Sequence, residues 1–166
     1  MNIYVSDPNA FIAARNLDDT RLTESLLYSA QIIAAVAFHN KKHSKHFLDF
    51  QDVTDPSVRW CLNDTNNFFW LIAHASGLRA EFKERFDFQP PMDGMIWDAT
   101  QIFGYENPNV KMFQNRTGNF NHILDVPTAY RFHLDKIWED MVRENKANPR
   151  KRLPKWTNSH PPEWYI

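Results

Sequence analysis

Apolar residues recur every three or four positions over three long segments, and this spacing is the strongest constraint on the fold. The segments are 18–38, 56–82 and 125–141, and the second has a polar break at Asn63 and Asp64. The spacing gathers apolar side chains on one face of a helix, and alternating patterns are too few to predict a sheet. We therefore expect a mainly α protein, built as a compact helical bundle.

The rest of the chain lacks helical periodicity. Between residues 88 and 121, prolines and glycines interrupt the sequence, which predicts long irregular loops with one short helix around 97–103. Residues 143–166 are basic and rich in Pro and Trp, which predicts an extended C-terminal tail. With 166 residues, of which 43% are hydrophobic, we expect a single domain over 1–166.

Composition excludes several classes of protein. The formal net charge of −1 provides no general attraction to nucleic acid, so such binding needs a local basic patch. Cys61 is the only cysteine, and glycine-rich phosphate loops are absent. The first ten residues do not resemble a signal peptide, and no apolar stretch is long enough to cross a membrane. These features favour a cytoplasmic protein without a cofactor.

The second predicted helix carries a polar ladder beside its apolar stripe. Its members, at spacings of three, four and three, are Arg21, Glu24, Tyr28 and Gln31. A similar row on the next long helix contains Asn63, Asn67, Trp70 and His74. If the two rows face each other, they form a pocket with the hydrogen-bonding groups and aromatic surface needed to read a flipped base. The alternative is a satisfied polar network between helices.

The tail and one loop are further candidate sites. The tail interleaves cations with aromatic rings, a combination typical of nucleic-acid binding; its candidates are Arg150, Lys151, Arg152, Lys155 and Trp156. Equally, the rings could pack against the bundle and leave a solvated basic face. The loop at Asn115 could cover a pocket or be a surface connection. His39, His43 and His46 have helical spacing, but the lysines between them disfavour a metal, and we expect none.

Several stretches, in their order and spacing, resemble a known family. They are MNIYVSDPNAFIAARNLDD, ESLLYSAQII, Trp60 with NFFWL, EFKERF, and DVPTAYRFHLDKIWED followed by PKW. This pattern covers most of the chain. It is similar to small phage proteins classed as pyrimidine-dimer DNA glycosylases of the endonuclease V type, and to the related amino acid:DNA transferases of thymine hypermodification. The resemblance implies a helical protein that bends duplex DNA and works on a displaced base.

The sequence departs from this family where its chemistry resides. Endonuclease V type enzymes use an N-terminal amine and a glutamate of the long helix, but Asn2 is too large for efficient removal of the initiator methionine. Tyr28 occupies the place of the glutamate, and Arg21 that of a histidine seven positions earlier. Asp55 and Leu62 replace a further histidine and an arginine. A tyrosine, with an ordinary pKa of about 10, replaces a carboxylate poorly near neutral pH.

These observations predict a phage-type enzyme that flips and processes a damaged or modified pyrimidine in duplex DNA, in the cytoplasm of an infected bacterial host. Glycosylase and base-modifying transferase chemistry both stay open, the latter with an amino acid or another small co-substrate. The predicted catalytic residues are Glu24, Tyr28 and Arg21, and the predicted substrate-binding residues are Gln31, Asn67, Trp70 and Asn115. The alternative is a catalytically inactive relative that binds DNA or a host protein. A purely structural role for the ladder is a third possibility.

Overall fold

Six helices make up most of the described chain, which comprises residues 2–105 and 108–165 of a computed structural model. They are α1 (Ala10–Arg15), α2 (Asp19–His39), α3 (Pro56–Asn63), α4 (Thr65–Phe86), α5 (Asp93–Phe103) and α6 (Val126–Ala147). No strand occurs among these residues. The expectation of a mainly α protein is therefore confirmed.

Aspartates set the starts of three helices. Asp55 accepts a hydrogen bond from the backbone N–H of Ser57, and Pro56 follows it as the first residue of α3. Asp64 caps α4 in the same manner and separates it from α3, which confirms the predicted break. Asp125 caps α6 through the N–H of Thr128. α5 begins four residues earlier than predicted, at Asp93.

α4 is the central helix of the core and packs against α1, α2, α3 and α5. The apolar residues that recur every three or four positions along α4 are buried: Phe68, Leu71, Ile72, Ala75, Leu78 and Phe82. Gly77 allows α1 to approach closely, because a Cβ there would lie 3.0 Å from Cβ of Ala14 and 3.2 Å from Cα of Phe11. No helix in the part of the chain that is described has the length and apolar character needed to span a bilayer.

Arg85 of α4 is fully buried and fixes the start of α2, which carries the polar ladder. Its guanidinium donates to the carbonyls of Arg15 at 2.9 Å and Leu17 at 2.7 Å. It also pairs with Glu81 at 3.2 Å and Asp19 at 3.3 Å. This one side chain therefore joins α1, α2 and α4.

α6 is joined to the N-terminal part of the chain by side-chain hydrogen bonds, and Arg131 also pairs with Asp7 at 3.4 Å. Tyr130 donates to Asn2 at 2.7 Å, and Arg131 donates to the carbonyl of Ser6 at 2.9 Å. Trp138 donates to Asp18 at 2.9 Å. Phe132 of α6 is 49% exposed and stacks on Phe120 of the preceding loop.

The tail begins later than predicted. Residues 143–147 form the last turn of α6, where Arg143 pairs with Asp140 at 2.7 Å. The helix ends at Ala147. Pro149 disfavours helical geometry in the residue before it, and that residue, Asn148, is extended (φ −144°, ψ 101°). The extended tail is therefore 148–165 within the described residues.

Candidate functional site

The polar ladder of α2 spans two environments. Glu24 is exposed, Arg21 and Gln31 are half-buried, and Tyr28 is buried. Tyr28 belongs to a cluster beside α3, whereas Arg21 lies towards α6. The ladder therefore contributes to two neighbouring polar groups.

The Tyr28 hydroxyl is surrounded by polar atoms from α3 and from the loop before α6. It lies 3.0 Å from Oδ1 of Asp55 and 3.0 Å from Oγ of Ser57, and Nη1 of Arg116 donates to it at 3.2 Å. Burial, with the Asp55 carboxylate beside it, raises the pKa of Tyr28 despite the opposing hydrogen bonds from Ser57 and Arg116. Tyr28 is therefore a neutral hydrogen-bond donor near neutral pH and not an equivalent of a carboxylate.

Arg116 and Asp55 form the charged part of this cluster. Their side chains are 31% and 21% exposed and approach to 4.0 Å, and Nη1 of Arg116 also donates to Oγ of Ser57 at 3.0 Å. Asp55 is held in place by its role as the cap of α3. The cluster thus presents an accessible guanidinium and carboxylate above a buried phenol.

Arg21 belongs to a second cluster that faces α6. Its Nη1 donates to the buried Asp18 at 3.1 Å and contacts Sδ of Met141 at 3.1 Å. Tyr4 is beside it in a left-handed backbone conformation (φ 42°), and its ring stacks on His133 at 6.2 Å. Such a conformation is strained for a residue other than glycine. Burial raises the pKa of Tyr4, and burial together with Arg21 lowers that of His133.

Glu24 and the tail cations line adjoining cavities at the start of α2. Glu24 and Arg152 line one of about 380 Å³, together with Asp19, Thr20, Thr23 and Phe86. Arg152 and Lys155 line the second, of about 510 Å³, together with Asp19, Thr20, Leu153 and Pro154. Because both cavities share Asp19, Thr20 and Arg152, we name them together the tail groove. A predicted catalytic residue and two predicted nucleic-acid contacts therefore line one groove.

Backbone and aromatic contacts hold the tail in this position. The N–H of Asp19 donates to the carbonyl of Lys155 at 2.8 Å, and the hydroxyl of Thr157 donates to the Asp19 carboxylate at 2.7 Å. Trp156 packs against Trp138 with ring centroids 4.9 Å apart. Trp164 and Tyr165 pack on the same indole.

The tail rings therefore pack on the bundle, which is one of the two alternatives that the sequence allowed. The four predicted DNA-contacting cations are exposed: Arg150, Lys151, Arg152 and Lys155. Trp156 is half-buried among other rings, so its use as a surface for base stacking stays a prediction.

Three other predicted substrate-binding residues donate hydrogen bonds to backbone carbonyls: Asn67, Trp70 and Asn115. The Asn67 amide donates to the carbonyl of Trp60 at 2.8 Å, and the Trp70 indole donates to that of Pro8 at 2.7 Å. Trp70 also lines a cavity of about 480 Å³ with Phe11 and Tyr105. No hydrogen bond among the described residues joins the two rows, so the predicted pocket between them is not formed by such contacts.

Asn115 organises its own loop, and its amide donates to the carbonyls of Phe120 at 3.2 Å and Ile123 at 3.1 Å. The side-chain amide oxygen of Gln31 is buried and has no hydrogen-bond partner among the described residues.

No group of three or more His, Cys, Asp or Glu side chains in residues 2–105 and 108–165 is placed to hold a metal ion.

Sequence reasoning missed the roles of Ser57, Tyr4 and His133, and did not connect Arg116 to Tyr28. Arg116 and Tyr28 are 88 positions apart, and a loop residue such as Arg116 follows no periodicity from which its partner could be predicted. The Asp55-Pro56-Ser57 sequence signals a helix start and does not indicate a contact with α2.

Comparison with protein families, with curated proteins and with solved structures finds no match to this chain. The resemblance to the endonuclease V type proteins therefore stays a prediction that depends on the residues quoted above.

Proposed function

We propose that this chain acts on duplex DNA, binding the backbone through the tail groove and processing a displaced pyrimidine nucleotide. The observation that carries the proposal is that Glu24 and Arg152 line the same cavity. An exposed carboxylate that lines the same cavity as a cation suits proton transfer at a sugar or base whose phosphate the cation holds. Two residues that were predicted separately, Glu24 for catalysis and Arg152 for DNA binding, thus line one cavity.

The charge of the tail supports binding to phosphate. Four cations occur within residues 150–155, and that stretch has no carboxylate. Because the overall charge is −1, attraction to DNA depends on local basic patches, and the tail is one of them. Its backbone is fixed to α2 by the bond from Asp19 to Lys155, so the cations are presented by an ordered segment.

The proposed roles follow the two polar clusters. Glu24 is the acid/base candidate, Tyr28 donates a hydrogen bond, and Arg21 organises the Asp18 side of the site. Contact to the displaced nucleotide is assigned to Gln31, whose buried amide oxygen has no hydrogen-bond partner among the described residues. The other predicted contacts, Asn67, Trp70 and Asn115, donate to backbone carbonyls and hold the chain around them. Glycosylase and base-modifying transferase reactions are both compatible with this assignment, the latter with an amino acid as co-substrate. In keeping with the family resemblance, the proposed setting is the cytoplasm of a phage-infected bacterium.

Mass spectrometry of nucleosides tests the reaction. The protein is incubated with duplexes that contain a thymine dimer, hydroxymethyluracil or its pyrophosphorylated form, with and without amino acids. We expect a changed nucleoside from one of these duplexes, and its loss in Glu24→Gln. Glu84→Gln, at an exposed position of α4, is the matched control. The enzymatic proposal fails if no duplex changes under any condition, or if Glu24→Gln is fully active.

One observation favours the second candidate, an inactive relative that binds DNA or a host protein. The hydroxyl at the position of the family's glutamate is buried and hydrogen-bonded to Asp55, Ser57 and Arg116. This candidate predicts binding without turnover, with binding unchanged in Tyr28→Phe and Glu24→Ala. Folded variants that no longer bind would exclude it.

A further inference from the structure

Leu124 is held in an unusually exposed position immediately before α6. Its side chain is 96% exposed, more than any other large apolar side chain of the described residues. Single exposed leucines are common on protein surfaces, so exposure alone does not indicate a binding residue. The informative feature is that the chain on both sides of Leu124 is fixed.

Hydrogen bonds anchor the loop on each side of this residue. Before it, the carbonyl of Ile123 accepts from the Asn115 amide at 3.1 Å, and the N–H of Ile123 donates to the carbonyl of Phe120 at 3.1 Å. After it, Asp125 caps α6. Leu124 is therefore displayed to solvent by an ordered loop.

The loop has the composition of a surface that meets phosphate. Residues 108–124 contain Lys111, Arg116 and His122 but no Asp or Glu. They also contain five amide side chains, which are neutral donors and acceptors: Asn109, Gln114, Asn115, Asn119 and Asn121. The nearest carboxylates have other roles, since Asp125 caps α6 and Asp55 caps α3, and the charged side chains of the loop itself favour an anionic partner over a basic one.

The same loop connects Leu124 to the candidate site. Arg116 precedes it by eight residues and donates to the hydroxyls of Tyr28 and Ser57. Gln114 donates to the carbonyl of Pro56 at 2.8 Å, and the carbonyl of Met112 accepts from Trp60 at 3.0 Å. The loop is thus anchored to α3, next to the Tyr28 cluster.

We propose that Leu124 is an insertion residue, which enters the base stack of duplex DNA beside the displaced nucleotide. Proteins that kink DNA insert apolar side chains of this type between base steps, and enzymes that flip a base must compensate for lost stacking. This inference rests on the proposed function and deepens it by naming the residue that opens the duplex. Arg116 and Lys111 then meet the flanking phosphates.

Fluorescence of 2-aminopurine tests the insertion directly, because the fluorescence of this base rises when it unstacks. The probe duplex carries 2-aminopurine next to a thymine dimer, and binding is measured in parallel by anisotropy. Wild-type protein is expected to bind and to raise the fluorescence. In Leu124→Ala the rise is lost and affinity falls about tenfold, as expected for burial of most of a leucine side chain.

Two further variants sharpen the result. Leu27→Ala makes the same change on the exposed side of α2, where the leucine is 43% exposed, and should leave both readings unchanged. Leu124→Phe keeps an apolar side chain able to insert and should retain the fluorescence rise. Circular dichroism verifies that every variant folds.

Three outcomes overturn the inference. If wild-type protein binds but leaves 2-aminopurine stacked, insertion is excluded while DNA binding stands. A full fluorescence rise in Leu124→Ala excludes this residue as the one that inserts. If wild-type protein does not bind the duplex, the proposed function and the insertion both fail.

Discussion

Tyr28 is the residue on which the two candidate functions differ most clearly. Tyr28→Phe removes the hydroxyl between Asp55, Ser57 and Arg116 and leaves the ring in place. We expect the free energy of unfolding to fall by about 1 kcal/mol, the net value of a typical hydrogen bond, in urea denaturation. Tyr105→Phe, at a position 40% exposed, is the control and should change it little.

Tyr28→Phe also distinguishes the two candidate functions, through turnover and DNA affinity. An active site that uses the Tyr28 hydroxyl loses turnover when it is removed, whereas an inactive binding protein retains its affinity. Retained turnover in folded Tyr28→Phe would remove this residue from the catalytic set.

His74 gives a second prediction at the scale of one residue. It is fully buried on α4 and stacks on Trp70 at 5.0 Å, and neither of its ring nitrogens has a partner among the described residues. Burial lowers its pKa to about 3, from 6.5. The unfolded chain therefore binds a proton below about pH 6.5 that the folded protein accepts only near pH 3.

The sign of the pH dependence follows from this difference. The contribution of neutral His74 is fully present above about pH 6.5 and is lost as the pH falls towards 3, by about 1.4 kcal/mol for each pH unit. In urea denaturation at several pH values, His74→Phe should show a shallower loss of stability over this window. His160→Phe, at an exposed position, should keep the wild-type slope, and equal slopes in all three proteins would contradict the prediction.

At the scale of elements, Arg85 and Arg15 form a matched pair because both contact Glu81. Arg85 is fully buried and also bonds the ends of two other helices, whereas the side chain of Arg15 is 69% exposed. Arg85→Ala leaves Glu81 and two backbone carbonyls without their buried partner, and should cost about 3–5 kcal/mol in unfolding free energy. Arg15→Ala should cost less than about 1 kcal/mol. Equal losses in chemical denaturation would contradict this assignment.

The elements that the sequence predicted well are those determined by local chemistry. The break between α3 and α4 follows from capping by Asp64, and the start of α6 follows from Asp125. The last turn of α6 was missed because its exposed polar residues carry no apolar periodicity, and only Pro149 marks the end of the helix.

The candidate site was less predictable because its contacts join distant parts of the chain. Asn67 and Trp70 have the spacing of a polar row, but their hydrogen-bond partners are the backbone carbonyls of Trp60 and Pro8. Similarly, Arg116 reaches Tyr28 from a loop without periodicity. Helical spacing identifies which side chains share a face, and it does not identify the segment that covers that face.

At the scale of the whole molecule, the tail groove is a small basic surface in a protein of nearly neutral charge. The bundle fixes the start of α2 through Arg85, and Asp19 then holds the tail through Lys155 and Thr157. The residues that line the tail groove are therefore fixed to the core by a chain of hydrogen bonds through Asp19. Its cations should act together on one DNA backbone, and binding should weaken steeply with salt.

The salt dependence of duplex binding tests this central claim most directly. Anisotropy titrations between about 50 and 200 mM salt give the slope of log K against log salt concentration, to which each neutralised phosphate contributes about −0.9. Arg152→Gln with Lys155→Gln should make the slope shallower by about two, while Arg59→Gln with Lys83→Gln, at exposed positions elsewhere, should leave it unchanged. Failure of the wild-type protein to bind duplex DNA, or an unchanged slope in the tail-groove variant, would contradict the account.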